Sequence, residues 1–401
     1  MVEQLESLNR EDWFKTGMRR VCVIHYSEIG LKGRNRPFFE KMLVENVSRL
    51  LSGVADVKVK RLQGRLVFPL NEADLQRVEE SLMKVFGISW FAFATVAEPN
   101  VDSIGRIVVD EASRVVKPGE PVKVEVKRAD KRFPATSLEL SRTLGRMLVE
   151  KLGVSISLKN PSRKIFVEVL SREAYVFTAK LRGLGGLPVG SSGRVLSLLS
   201  GGIDSPVASY LMMKRGCRVS YLHFHPFHDN AEAENSKIME IVGKLLPYSG
   251  ETTITLVPSY EFQIATVNIP AKYDLVLFRR FMFRVAERIA EAEGARALVT
   301  GESLAQVASQ TLENMVVISS GLRMPVFRPL IAFDKEEIVN IAKKIGTYEL
   351  SIKPYKDCCS IIAKHPETKA KLEIVEKLEK QIDIDSVVSR SIELSSRVSL
   401  K

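Results

Sequence analysis

Cysteine is scarce: this 401-residue chain has four, Cys22, Cys217, Cys358 and Cys359. Four thiols so placed cannot staple a disulfide scaffold. No Cys-x-x-Cys pair offers a zinc or iron–sulfur anchor. Long apolar runs are also missing, so no membrane-spanning helix is expected. The start, with Glu3, Glu6, Glu11 and Asp12, lacks the basic opening and apolar run of a secretory signal. The kinase-type loop Gly-x-x-x-x-Gly-Lys-[Ser/Thr] is absent, and with it the lysine that reaches a transferring γ-phosphate. Three of the five histidines fall in His223 to His228, without the companion ligands a metal site needs, so no metal site is expected there. There is no internal repeat and no low-complexity tract. These absences point to a cytoplasmic protein with reduced thiols and no membrane contact.

What the chain does have is positive charge. The formal net charge is +11, with 45% hydrophobic residues. Such a chain can bury the cores of two or three domains and attract polyanions. The first segment, residues 1–75, reads as a small α+β unit. It has an apolar strand at Val21–Ile24, a basic glycine-punctuated loop from Glu28 to Arg36, and a helix carrying Phe39, Leu43, Val47 and Leu50. The second, residues 76–184, has strands at Val122–Lys127, Lys164–Val169 and Ala174–Phe177 and a helix over Ser137–Leu152. Residues 121–146 hold seven basic residues against three acidic. Lys127, Arg128, Lys131, Arg132 and Phe133 combine cations with an aromatic ring, which suits phosphate contact and base stacking.

A glycine-rich linker, Arg182 to Gly193, precedes the third segment, residues 185–401. There strands and helices alternate, which predicts a doubly wound parallel sheet with helices on both faces. One long helix is expected over Ala231–Leu246 and a charged helical tail from about Glu367. After the strand Val195–Leu199 comes Ser200-Gly201-Gly202-Ile203-Asp204-Ser205, then a helix. Two glycines clear space for an anion, backbone N–H groups face it, and Ser205 can cap the helix. Asp204 fits if it organises the loop or a bound magnesium ion. With no lysine for γ-transfer, the loop suggests cleavage between the α- and β-phosphates of ATP. A plain strand-to-helix turn would need none of these residues.

Ser-Gly-Gly-Ile-Asp-Ser resembles the signature of the PP-loop ATP pyrophosphatases, whose fold is adenine nucleotide alpha hydrolase-like. Gly186–Gly190, Gly301–Thr311, Arg328–Ile331 and Asp357-Cys358-Cys359 resemble the tRNA 4-thiouridine synthetase branch of it. Lys127–Pro134 resembles a THUMP RNA-binding domain, and Glu28–Gly33 is similar to that family's N-terminal ferredoxin-like domain. The resemblance implies an α/β multidomain enzyme that uses ATP and Mg2+ to adenylate uridine 8 of tRNA and then exchanges AMP for sulfur. It implies ATP contacts at Leu198, Leu199, Ser200, Gly201, Gly202, Asp204, Ser205, His223, Phe224, Arg279 (rather than Arg280), Gly301 and Gln310. Gly301 would let backbone approach the nucleotide.

Cys359, with Cys358 second, is implied to carry the sulfur, and nearby Lys353, Lys356 and Lys364 would favour a thiolate. A strained link between adjacent cysteines makes Cys217 or an outside thiol the resolving partner. The chain resembles family members without a rhodanese-like domain. Its implied partners are therefore tRNA, a cysteine desulfurase or other persulfide donor, and a sulfur carrier protein of thiamine synthesis, with a homodimer left open. Another tRNA-directed PP-loop adenylating enzyme or an amide-forming ligase is the alternative.

Overall fold

Short apolar runs, joined by the alternating strand Pro121–Arg128, build the first sheet. The computed structural model describes residues 20–54, 57–62, 64–356, 358 and 366–401, and the chain divides into two compact units, residues 1–186 and 187–401. In the first unit nine strands form one sheet: β1 (Arg20–His25), β2 (Lys60–Leu62), β3 (Arg65–Pro69), β4 (Trp90–Ala97), β5 (Pro121–Arg128), β6 (Ser155–Ile156), β7 (Arg163–Val169), β8 (Ala174–Phe177) and β9 (Leu181–Arg182). Their order is β2-β3-β1-β4-β8-β7-β5-β6, with β9 against β4.

Period-two alternation sorts the side chains to two faces. Cys22, Ile24 and Phe91 meet helices α1 (Arg36–Leu51) and α2 (Leu75–Leu82). Val124, Ile165, Val167 and Val176 meet α3 (Val101–Ser113) and α4 (Ser137–Leu152). The α4 helix starts where sequence placed it, because Thr136 and Glu139 form a reciprocal capping box. On the opposite face, Val21, Val23, Ala92, Tyr175 and Phe177 are also buried. There Glu168 of β7 pairs with Arg65 of β3 and, at 3.2 Å, with His25 of β1. Three strands separate β3 from β7, about 19 Å in a flat sheet at ~4.8 Å per step. The contact therefore requires a strongly curled sheet. Burial alone would raise the Glu168 carboxyl, but His25 and Arg65 hold it below its ordinary value.

In the second unit the strands are β10 (Arg194–Leu198), β11 (Arg218–His225), β12 (Thr252–Pro258), β13 (Leu298–Val299), β14 (Val326–Phe327) and β15 (Ser396–Leu400). The order is β14-β13-β10-β11-β12-β15, parallel except that β15 runs antiparallel to β12. Helices α5 (Asp204–Lys214), α6 (Lys237–Ser249), α7 (Asp274–Glu293), α8 (Leu312–Ser319), α9 (Lys335–Lys344), α10 (Leu372–Glu379) and α11 (Ile384–Glu393) cover it. Along β10, Ser197 faces Ser209 of α5 at 2.8 Å, while Leu196 and Leu198 pack with α7.

Three expectations change. The helix expected over Ala231–Leu246 is two, Asn230–Glu234 and α6, because the Ser236 side chain accepts from Ile238 N–H and starts a new helix. The tail is not all helix: Ser396–Leu400 ends it as an edge strand. The resolving role given to Cys217 fails on position. That thiol stands just before β11, and His223 lies six residues further on, about 20 Å along an extended strand. Cys217 is buried, which raises its thiol above the usual value. Among the described residues no helix is long and apolar enough to cross a membrane.

Candidate active site

The order of strand addition reverses at β10: the strands grow one way through β11 and β12, then β13 returns to the other side of β10. Loops leaving the carboxyl ends of β10 and β13 must diverge there and open a crevice. The crevice is open to solvent. Of the expected residues, Leu198, Leu199, Ser200, Asp204, Ser205, His223, Phe224, Arg279, Gly301, Gln310 and Cys358 line it. Gly201 and Gly202 belong to the same loop without lining the crevice. Cys359, Asp357 and Lys364 lie outside the described residues, as does the acidic stretch before Gly17.

Serines tie the loop. Ser205 Oγ accepts from Ser200 N–H at 2.9 Å and lies 3.1 Å from Ser200 Oγ, which accepts from Gly202 N–H at 3.3 Å. Ser205 is thus no helix cap. The α5 helix begins at Asp204, and Ile203 precedes it without a capping side chain. The first N–H groups of α5 remain for an anion at the positive end of the helix. Asp204 accepts from Lys335 Nζ at 2.6 Å and Gln306 Nε2 at 3.0 Å, so its carboxylate organises the loop. Asp204 is the one carboxylate of the loop, so a Mg2+ ion there would be held chiefly by substrate phosphates. Among the described residues no cluster of three or more acidic, His or Cys ligands could hold a metal alone.

Gly301 is needed for a reason other than nucleotide approach. A Cβ there would sit 2.6 Å from Ser205 N and 2.8 Å from the Asp204 carbonyl carbon. It is therefore the bare backbone of Gly301 that lets the end of β13 lie against the start of α5. The neighbouring Glu302 was not foreseen. It is 2% exposed and pairs with Arg279, with Arg328 Nε at 2.7 Å and with Thr300 Oγ1 at 2.9 Å. Burial would raise its carboxyl, but Arg279 and Arg328 hold it below its ordinary value. Glu302 therefore fixes the cleft arginine in place. Arg280 points elsewhere: it is 3% exposed and grips Glu379 at 2.8 and 2.9 Å. Gln310 Oε1 is buried in the cleft and has no partner among the described residues.

His223 and Phe224 are buried at the carboxyl end of β11. The imidazole bonds Leu199 O through Nδ1 and Tyr355 Oη through Nε2, both at 2.8 Å. His225 is buried, which lowers its pKa, and bonds Asn230 Oδ1 at 2.8 Å. Cys358 is 2% exposed, and its Sγ donates to Ser259 Oγ at 3.2 Å. The basic loop of the first unit divides. Lys127, Lys131 and Arg132 are exposed. Arg132 chelates Asp130, holding that carboxyl down at about 2. Two of the expected RNA contacts are corrected. Phe133 is buried among α3 and α4 side chains, so its ring packs rather than stacks on a base. Arg128 folds inward onto Phe133 O and Ala135 O at 3.2 and 2.6 Å, which shapes the loop.

Comparison with known proteins agrees with this architecture. Family models match as "ThiI ferredoxin-like domain" at residues 21–92, "THUMP domain" at 98–179 and "Thiamine biosynthesis protein (ThiI)" at 190–384. A chain named "Probable tRNA sulfurtransferase" from Brevibacillus brevis is 40% identical over 93% of this chain and 94% of its own. Another of that name from Moorella thermoacetica is 41% identical over 92% and 95%. A crystal structure described as a 4-thiouridine synthetase–RNA complex with bound ATP superposes with a TM-score of 0.86. It is 36% identical, over 95% of this chain and 100% of that one. With relatives this similar along nearly its whole length, the chain belongs to the ThiI family of tRNA sulfurtransferases.

Proposed function

We propose that this protein is an ATP-dependent tRNA uridine 4-sulfurtransferase. The observation that carries the reading is one cleft bordered by the Ser200–Ser205 loop, Arg279 and a thiol, Cys358. The solved relative described with RNA and ATP supports the substrates. Uridine O4 attacks the α-phosphorus of ATP, and the bond to the β-phosphate bridging oxygen breaks. The α5 N–H groups and Arg279 hold the departing pyrophosphate. Asp204 would hold a Mg2+ ion together with the phosphates, and the ion would supply charge neutralisation there. The terminal sulfur of a persulfide on Cys359, or on Cys358, then attacks C4. The C4–O4 bond breaks and AMP leaves with O4. A thiolate from an outside dithiol cleaves the S–S bond, leaving sulfur on C4, and the dithiol's second thiol releases the enzyme cysteine. A cysteine desulfurase or comparable donor renews the persulfide, which also serves a sulfur carrier protein of thiamine synthesis. Lys127, Lys131 and Arg132 hold tRNA phosphates.

The test is nucleoside mass spectrometry of tRNA incubated with protein, ATP, Mg2+ and a persulfide-generating desulfurase. Wild type should yield 4-thiouridine with equimolar AMP. Cys359→Ser should form AMP without 4-thiouridine, and Asp204→Ala should form neither. Wild-type protein that makes AMP but never a thiolated nucleoside would remove the sulfur half of the reading.

A further inference from the structure

Lysine is rarely buried, and a cation is unfavourable at the positive end of a helix. Lys237 is only 8% exposed and is the first residue of α6. A residue that breaks two local rules is held there by some other gain. Its ammonium donates to Ser351 O at 2.8 Å and Lys353 O at 2.6 Å. Those carbonyls belong to the end of the short helix Tyr348–Ser351 and to the bend just after it. From there the chain runs through Tyr355 to Cys358 and Cys359.

Tyr355 makes the second attachment. Its hydroxyl bonds His223 Nε2 at 2.8 Å, and His223 Nδ1 bonds Leu199 O, one residue before the Ser200–Ser205 loop. Its ring lies against Gly201: a Cβ there would meet Tyr355 Cδ1 at 2.9 Å and Lys237 Cε at 3.0 Å. Phe227 meets the ring edge to face at 6.1 Å. Loop glycine, lysine stem and tyrosine ring form one packed stack, so the absence of a side chain at Gly201 serves the clamp.

We propose that Lys237 and Tyr355 are positioning residues for sulfur delivery, clamping the chain that leads into the cysteines onto the pyrophosphate loop. This rests on the sulfurtransferase reading above. Adenylation needs the loop, Arg279 and Asp204, whereas the Lys237 ammonium bonds Ser351 O and Lys353 O and the Tyr355 hydroxyl bonds His223. Sulfur transfer needs a cysteine brought to the activated uridine before water reaches it. Loosening the clamp should therefore spare the first half-reaction and spoil the second.

Tyr355→Phe removes one hydroxyl and keeps the ring on Gly201. Lys237→Met keeps the stem and removes the ammonium. Each is assayed with tRNA, ATP and a persulfide-generating desulfurase, reading AMP and 4-thiouridine together. With one or two hydrogen bonds lost, the yield of 4-thiouridine per AMP should fall about tenfold, with KM for ATP and the AMP rate within about threefold of wild type. An unchanged yield per AMP in both variants would reduce the clamp to packing and overturn the proposal. Equal loss of AMP and 4-thiouridine, with melting temperature unchanged, would place the residues in the nucleotide site and overturn it too. Should a variant unfold, the other decides by the same ratio. Wild type forming no 4-thiouridine in the same assay would instead count against the underlying reading.

Discussion

Arg279 and Arg280 are adjacent, yet one lines the cleft and the other is buried against Glu379. Consecutive helical residues point about 100° apart, so one can face the cleft only if the other turns away. The sequence shows that choice but not its outcome, because what draws Arg280 inward is Glu379, 99 residues later. Removing one partner of a buried pair leaves an uncompensated charge and costs about 3–5 kcal/mol. Arg284, 3.0 Å from the same carboxylate, should keep the loss for Arg280→Ala at the lower part of that range. Urea unfolding should show a clear drop in midpoint for that variant. Arg279→Ala should instead raise KM for ATP. An Arg280→Ala protein of wild-type stability but lost ATP affinity would reverse the assignment. Cys358 and Cys359 pose the same difficulty, since neither adjacency nor nearby lysines says which thiol meets the cleft. Cys358 lines the cleft, and Cys359 lies outside the described residues.

At the scale of elements, the phosphate loop depends on how closely β13 approaches α5. The backbone atoms that a Cβ at Gly301 would strike cannot swing aside as a side-chain tip could. Gly301→Ala should therefore push the strand end from the helix start, at about 1–3 kcal/mol, and loosen the loop. Gly202→Ala is the contrast, since its Cβ would meet only Ser200 Oγ at 3.5 Å. Calorimetry should find a lower melting temperature and weak ATP binding for Gly301→Ala, against an unchanged melting temperature for Gly202→Ala. If both melt alike, the close approach is not what glycine secures. The parallel strands β10, β11, β12 and β13 were legible because each is a short, mainly apolar run, whereas the two-residue β14 was too short to read. The α4 helix was legible because its cap residues stand beside it. The edge strand Ser396–Leu400 was not, since its exposed alternation mimics a polar tail until β12 pairs with it. The β4 strand went unread because apolar residues there run nearly without interruption, and periodicity alone cannot sort such runs; α3 went unread although Val101, Ile104, Val108 and Ala112 recur at helical spacing. Glu302 was missed for want of its partners: an acidic residue after a strand carries no sign of two arginines converging on it.

For the whole molecule, the charge is not spread evenly. Residues 1–186 carry 32 lysines and arginines against 23 aspartates and glutamates, an excess of 9. Residues 187–401 carry 27 against 25, an excess of 2. The nucleotide unit meets a small, highly charged substrate with a few fixed groups, so it needs little net field. A polyanion hundreds of ångströms in contour is attracted by summed charge, and the first unit supplies it. Binding through phosphates releases counterions, so affinity must fall with salt at a slope of about −0.7 to −0.9 per phosphate contacted. Of the basic loop, Lys127 and Lys131 are exposed, whereas Arg128 is spent on carbonyl oxygens inside its own unit. Lys127→Ala combined with Lys131→Ala should therefore flatten the salt slope of tRNA binding by about 1.4–1.8. Arg128→Ala should act differently, lowering the thermal stability of the first unit as its loop loses two hydrogen bonds. Filter binding of tRNA across a salt series, beside melting of each variant, separates the two. A double-lysine variant with the wild-type slope would mean that the first unit reaches RNA with another face.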